Sequence, residues 1–227
     1  MVSILVVATV LGFLLADLAV RFILQGRKGA REAPPVSAAS APLPVGPLHW
    51  RVEIPAGVFL SPRHAWAILE PDGLVRVGID DFARQMLGDI DTLDLPTLHA
   101  SLRKGEPAAT LFKGHRLARL TAPVSGVVEE VHHLVAVDPR AIARNPYGEG
   151  WLFKVRPSSL AHELKGLVVA EDAKEFLGNE VERFRKFAQP FHADLAADGG
   201  KPLAGIVPAL GSEAWDEFRR EFLGEGL

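Results

Sequence analysis

The run KGEPAATLFKGHRLARLTAPVSGVVEEVHHLVAVDPRAIARNPYGEGW, residues 104–151, decides how this chain folds. Three chain reversals punctuate it. Lys104-Gly105-Glu106 places a glycine, free to take positive φ, between charged neighbours. Thr121-Ala122-Pro123-Val124-Ser125-Gly126 is a proline-started turn that runs into the β-branched pair Val127-Val128. Asn145-Pro146-Tyr147-Gly148-Glu149-Gly150 carries one proline and two glycines, and the apolar stretch from Trp151 to Val155 follows it. Proline fixes φ and glycine permits unusual φ, so all three encode tight reversals between short strands.

Outward from this run the same grammar continues. Ala65-Trp66-Ala67-Ile68-Leu69 reads as a strand, Pro71-Asp72-Gly73 as a hairpin turn, and Leu74-Val75-Arg76-Val77-Gly78-Ile79 as the returning strand. Residues 49–54 alternate apolar with polar and read as a further strand. Asp80 or Asp81 caps a short helix over 82–87, which Gly88 stops. Strands are expected at 92–95, 108–112, 116–121 and 127–131, and a second helical segment at 139–143. Short strands every eight to twelve residues argue for a sandwich or barrel.

His64-Ala65-Trp66, the 72–79 hairpin, Leu87-Gly88-Asp89-Ile90, Leu95-Pro96 and the three turns recur in one order. In that order the sequence resembles the H protein of the glycine cleavage system over about residues 60–156. The resemblance implies a lipoyl-domain fold, a flattened β barrel of two sheets (a barrel-sandwich hybrid). It also implies a lipoyl group on a hairpin-tip lysine, which carries an aminomethyl group between partner enzymes.

The arm's attachment point departs from that pattern. In the family the lysine lies in a Glu-Ser-Val-Lys context, eight residues before the proline matched by Pro123. Counting back from Pro123, and forward from Gly105, both lead to His115, within Phe112-Lys113-Gly114-His115. A lipoamide needs a primary amine, which imidazole does not supply. Lys113 is the one lysine of the tip. A two-residue displacement keeps its strand face but moves the side chain roughly 6–7 Å. The sequence therefore predicts no bound cofactor; the alternative is a covalent lipoyl group on Lys113.

Residues 2–24, VSILVVATVLGFLLADLAVRFIL, are apolar but for Asp17 and Arg21. A helix of that length spans roughly 34 Å, against a hydrocarbon core of about 30 Å. Arg21, Arg27, Lys28 and Arg31 follow the run and no basic side chain precedes it. Residues 1–25 are thus expected to be a single-pass anchor in the inner membrane with the C-terminal side cytoplasmic. A cleaved secretory signal would want a basic start and a shorter core. Residues 26–47, rich in Ala, Pro, Ser and Gly, read as a flexible linker. The β domain is placed at 48–157.

Beyond it the period changes. Leu160, Leu164 and Leu167, then Phe176, Val181, Phe184 and Phe187, suit amphipathic helices, the second interrupted by Gly178. Ser212 reads as an N-cap before Trp215, Phe218 and Phe222, which share one face. Residues 158–227 are expected to be a helical extension that packs on the barrel or docks a partner.

Composition narrows the chemistry. The chain has 227 residues, 48% hydrophobic, a net charge of −3 and no cysteine. The charge offers nucleic acid no electrostatic footprint, and the missing thiols exclude disulfides, cysteine nucleophiles and thiolate metal sites. His132 and His133 are adjacent, so on a strand they would point to opposite faces and could not share a metal ion. His64 suits structural hydrogen bonding. Ser125 lacks a nucleophile-elbow context, and the acidic run Asp80, Asp81, Asp89, Asp91 and Asp94 reads as a solvated or partner-facing surface. The sequence thus points to a membrane-anchored, mainly β binding or scaffold module with protein partners. It would have no catalysis of its own, and its alternative role is a lipoyl carrier armed on Lys113.

Overall fold

The structure is a computed structural model, and it describes residues 54–191 and 205–226. All of these belong to one compact unit. The expected anchor at 2–24, the linker at 26–47 and most of the strand expected at 49–54 lie outside the described residues. Among the described residues no helix is long and apolar enough to cross a membrane.

Two antiparallel sheets form the domain. In chain order its strands are β1 (Val58–Leu60), β2 (Ala65–Leu69), β3 (Val75–Ile79), β4 (Thr92–Asp94) and β5 (Ser101–Leu102). After them come β6 (Pro107–Lys113), β7 (Arg116–Thr121), β8 (Gly126–Val131), β9 (Phe153–Pro157) and β10 (Val168–Val169). The larger sheet runs β10-β1-β2-β3-β9-β8-β5 and the smaller β4-β6-β7. Inward-facing Leu60, Val77, Ile79, Leu111, Leu120, Val128, Phe153 and Val155 fill the space between them. Most of them alternate with more exposed neighbours, as a sheet with one buried face requires; Ile79 and Phe153 lie where the strand is buried on both faces.

Two close approaches fix the barrel's shape. Trp66 is wholly buried and pairs across the ladder with Gly78, where an added Cβ would come within 2.6 Å of the indole. At Gly126 an added Cβ would lie 2.1 Å from the carbonyl oxygen of Arg156. Gly126 is therefore needed for backbone approach between β8 and β9.

Helices surround the sheets: α1 (Asp81–Leu87), α2 (His133–Val137), α3 (Arg140–Arg144), α4 (Leu160–Glu163), α5 (Ala170–Ala188), α6 (Ile206–Leu210) and α7 (Ser212–Glu221). Asp80 caps α1 by accepting the Ala83 N–H at 2.9 Å. On α5, Ala173, Leu177, Val181, Phe184 and Phe187 form the buried stripe.

Several local expectations are corrected. Gly178 does not interrupt α5, which runs unbroken across it with the glycine exposed. One helical glycine costs only about 1 kcal/mol against alanine, less than the flanking apolar stripe returns. Ser212 is the first helical residue, not the cap. Gly211 holds the cap position at φ 108°, and no side chain caps that end. The segment after 158 is not wholly helical, because β10 pairs with β1 and covers an edge of the larger sheet. The short helix α2 lies where no element was expected, and the strand expected from Trp151 begins at Phe153.

Candidate functional site at the hairpin tip

Strands β6 and β7 pair in register from Ala109–Leu120 to Lys113–Arg116, leaving Gly114 and His115 as a two-residue reversal. Gly114 has φ +59°, the positive value that a tight two-residue hairpin turn asks of its first residue. His115 stands exposed at the apex. The two sequence candidates thus sit at one tip, with His115 in the turn and Lys113 on the last rung of β6.

Asp91, just ahead of β4, clamps that tip. Its backbone N–H donates to the Phe112 carbonyl at 2.8 Å. Its carboxylate accepts the Gly114 N–H at 2.7 Å and the Lys113 ammonium at 3.2 Å. The Gly114 hydrogen bond above all, with the Lys113 hydrogen bond and charge added to it, holds the Asp91 carboxyl below its ordinary value against the opposing effect of burial. Asp91 is therefore a structural clasp of the hairpin, not simply part of a solvated acidic face.

Along the other side of the hairpin, β7 is an edge strand of the smaller sheet. Edge strands present unpaired N–H and C=O groups, and the tail meets them. Trp215 Nε1 donates to the Leu117 carbonyl at 2.9 Å, and the Arg119 N–H donates to the Glu225 carboxylate. Arg116 donates to the Pro208 carbonyl at 2.8 Å and lies over the Trp215 ring. Helices α6 and α7 thereby close the open edge beside the tip. Packing on the barrel, one of the two fates open to the tail, is the observed one.

Beneath them lies an aromatic core built from distant parts of the chain. Phe82 of α1, Phe184 and Phe187 of α5, and Phe218 and Phe222 of the tail have ring centroids 4.8–6.4 Å apart. His64 is sealed against it, stacked on Phe82 at 4.6 Å. Its Nδ1 lies 2.8 Å from Asp80 Oδ2 and its Nε2 lies 3.4 Å from Glu180 Oε2. Burial alone would lower the His64 pKa, but the two carboxylates outweigh it and raise it from 6.5 to about 9. His64 is thus a buried imidazolium that joins the β2 entry, α1 and α5. With no exposed surface it cannot reach a substrate.

The other candidates scatter. His132 donates its Nδ1–H to the Trp151 carbonyl, 2.8 Å away, and its ring stacks flat on Trp151 at 4.1 Å. Its neighbour His133 begins α2. Among the described residues no group of three or more His, Cys, Asp or Glu side chains gathers as a metal site. The Glu180 link to His64 spans more than a hundred residues, and no local pattern signals it.

The fold is a two-sheet β barrel that presents a two-residue hairpin tip. The sequence model described as "Glycine cleavage H-protein" matches residues 59–180, and the chain belongs to that family. The probable glycine cleavage system H protein of Pyrococcus abyssi is 38% identical over 125 residues, which are 55% of this chain and 92% of that protein. The glycine cleavage system H protein of Thermus thermophilus is 35% identical over 57% of this chain and 99% of its own. Among solved structures, a glycine cleavage system H protein from Mycobacterium marinum is 32% identical over 56% of this chain and 98% of its own, with a TM-score of 0.49. Helices α6 and α7 lie beyond the matched segment.

Proposed function

We propose that this chain is a membrane-held binding module of the H-protein fold that works without a swinging arm. One observation carries the reading: the apex of the hairpin is an imidazole, His115, and the tip's one amine, Lys113, is drawn back to Asp91. The closed β7 edge supports it, because α6 and α7 add bulk beside the tip. In this reading residues 2–24 hold the domain at the cytoplasmic face of the inner membrane. The domain docks protein partners there, and catalysis resides in those partners.

A carrier armed on Lys113 has one observation in its favour. The Lys113–Asp91 pair is partly exposed, at 33% and 49% of side-chain surface. Exposed pairs are worth only about 0–1 kcal/mol, so an acylating enzyme could displace the carboxylate.

The intact mass of the protein, purified from its own membranes after growth with lipoate, separates the two. An unmodified mass that includes residues 2–24 supports the armless module. An added lipoyl mass mapping to Lys113 overturns it in favour of the carrier. Under the carrier reading a Lys113→Arg variant loses function.

A further inference from the structure

Among the large apolar side chains exposed on the described residues, Leu134 and Val137 stand out at 75% and 82% exposure. They lie three apart on α2, so they project from one face. Leu98, 53% exposed, lines a groove on the other flank of α2 together with His133 and Ala136. A second groove holds Leu134 and Val137 with Trp151, Asp138 and Arg144. Glu149 also lines that groove, and Asp138 at its wall is paired to both Arg144 and Arg140, so the crest is bordered by charge of both signs with the two arginines at its edge.

Arg144 also lines a third groove, and Ile54 and Pro55 form part of its wall. The described chain thus enters the domain beside α3, next to the crest. Everything before Ile54 includes the apolar run at 2–24 and the linker at 26–47. Under the anchored reading, attachment to the membrane makes docking of the domain on that same surface an intramolecular event, for which a small apolar crest suffices.

We propose that the α2 face, with Leu134 and Val137 at its crest, rests on the lipid bilayer, dipping those side chains to the level of the headgroups. Arg140 and Arg144 would lie at the phosphate plane, where long basic side chains reach readily. The inference rests on the membrane-anchored reading above.

The cysteine-free sequence makes the test direct. Leu134→Cys, Val137→Cys and, as a control on α5, Glu182→Cys (59% exposed) are each labelled with an environment-sensitive fluorophore in the full chain. The protein is placed at one copy per nanodisc of phosphatidylcholine and phosphatidylglycerol, some of it carrying nitroxide at the headgroup. All three positions face solvent, so the substitutions leave the core intact. Half-burial of the two aliphatic side chains favours the docked state by about tenfold or more. Quenching near its maximum at 134 and 137, with background quenching at 182, is the expected result. Background quenching at all three sites, with the protein still held by the disc, overturns the docking face and leaves the anchor standing. Labels at 134 and 137 that are shielded from iodide but untouched by lipid nitroxide also overturn it, because protein then covers the crest. Recovery of the full chain from cells without any membrane association overturns the anchor and the docking face together.

Discussion

Replacing His64 by asparagine should remove a pH dependence that the buried carboxylates impose on stability. Raising an imidazole from 6.5 in the unfolded chain to about 9 in the folded one makes protonation favour folding. The corresponding stabilisation is about 3 kcal/mol. It is fully present below pH 6.5 and is lost as pH rises through about 9. Between those limits stability should fall by about 1.4 kcal/mol for each step of one in pH. Asparagine tolerates the left-handed backbone that His64 adopts at φ +63°, and its amide can still donate to Asp80. What it cannot supply is the charge facing Asp80 and Glu180, and Glu180 would keep only Arg183. Urea unfolding of parent and His64→Asn, followed by tryptophan fluorescence from pH 6 to 10, measures the difference. Parallel curves from pH 6.5 to 9 would refute the reasoning, as would a difference that grows with pH.

Three further outcomes follow from the packing. Gly126→Ala drives a methyl group to 2.1 Å from the Arg156 carbonyl, so β8 and β9 must separate; thermal unfolding should show a loss of about 3 kcal/mol or more, within the range of overpacked cores and strained backbone. Trp215→Phe keeps most of the buried ring but leaves the Leu117 carbonyl without its indole donor, which should cost about 1–3 kcal/mol in denaturant titrations. Asp91→Asn should speed amide hydrogen exchange at Gly114, and in the parent the same loosening should appear as pH falls through the depressed Asp91 pKa; an unchanged exchange rate in the variant would show that the carboxylate is not the clasp.

The turns were legible because glycine and proline act locally. The hairpin at 72–73 and the turn before Gly126 need nothing from the rest of the chain to be recognised, whereas the tip at 114–115 was placed through the resemblance to the H-protein family. The Asp80 cap was legible for the same reason, though its second task, charging His64, was not. Asp91 was hidden in an acidic run, since nothing in the sequence tells that one carboxylate of five faces a hairpin across a strand pair. Helix α2 was missed because His133-Leu134-Val135-Ala136-Val137 extends a β-branched stretch and has no capping side chain. Periodicity found the aromatic stripes of the tail but not their partners, as a stripe has the same spacing whichever surface it covers. Those partners, Phe82 of α1 for Phe184, Phe218 and Phe222, and the β7 edge for Trp215, emerged only from the packing.

The tail's two roles set a timetable for synthesis. Strand β10 completes the β1 side of the larger sheet, and Trp215 and Glu225 complete β7. Both come after β9, from the stretch 158–227. At about 5–20 residues per second, that stretch takes the ribosome roughly 4–14 s to add. Through that interval the newborn barrel has all its central strands and two raw flanks able to pair with any neighbouring nascent chain. Phe218 and Phe222, which help to bury Phe82, come late in that stretch. A ribosome-bound holdase, or delayed barrel closure, would protect both flanks until the tail arrives.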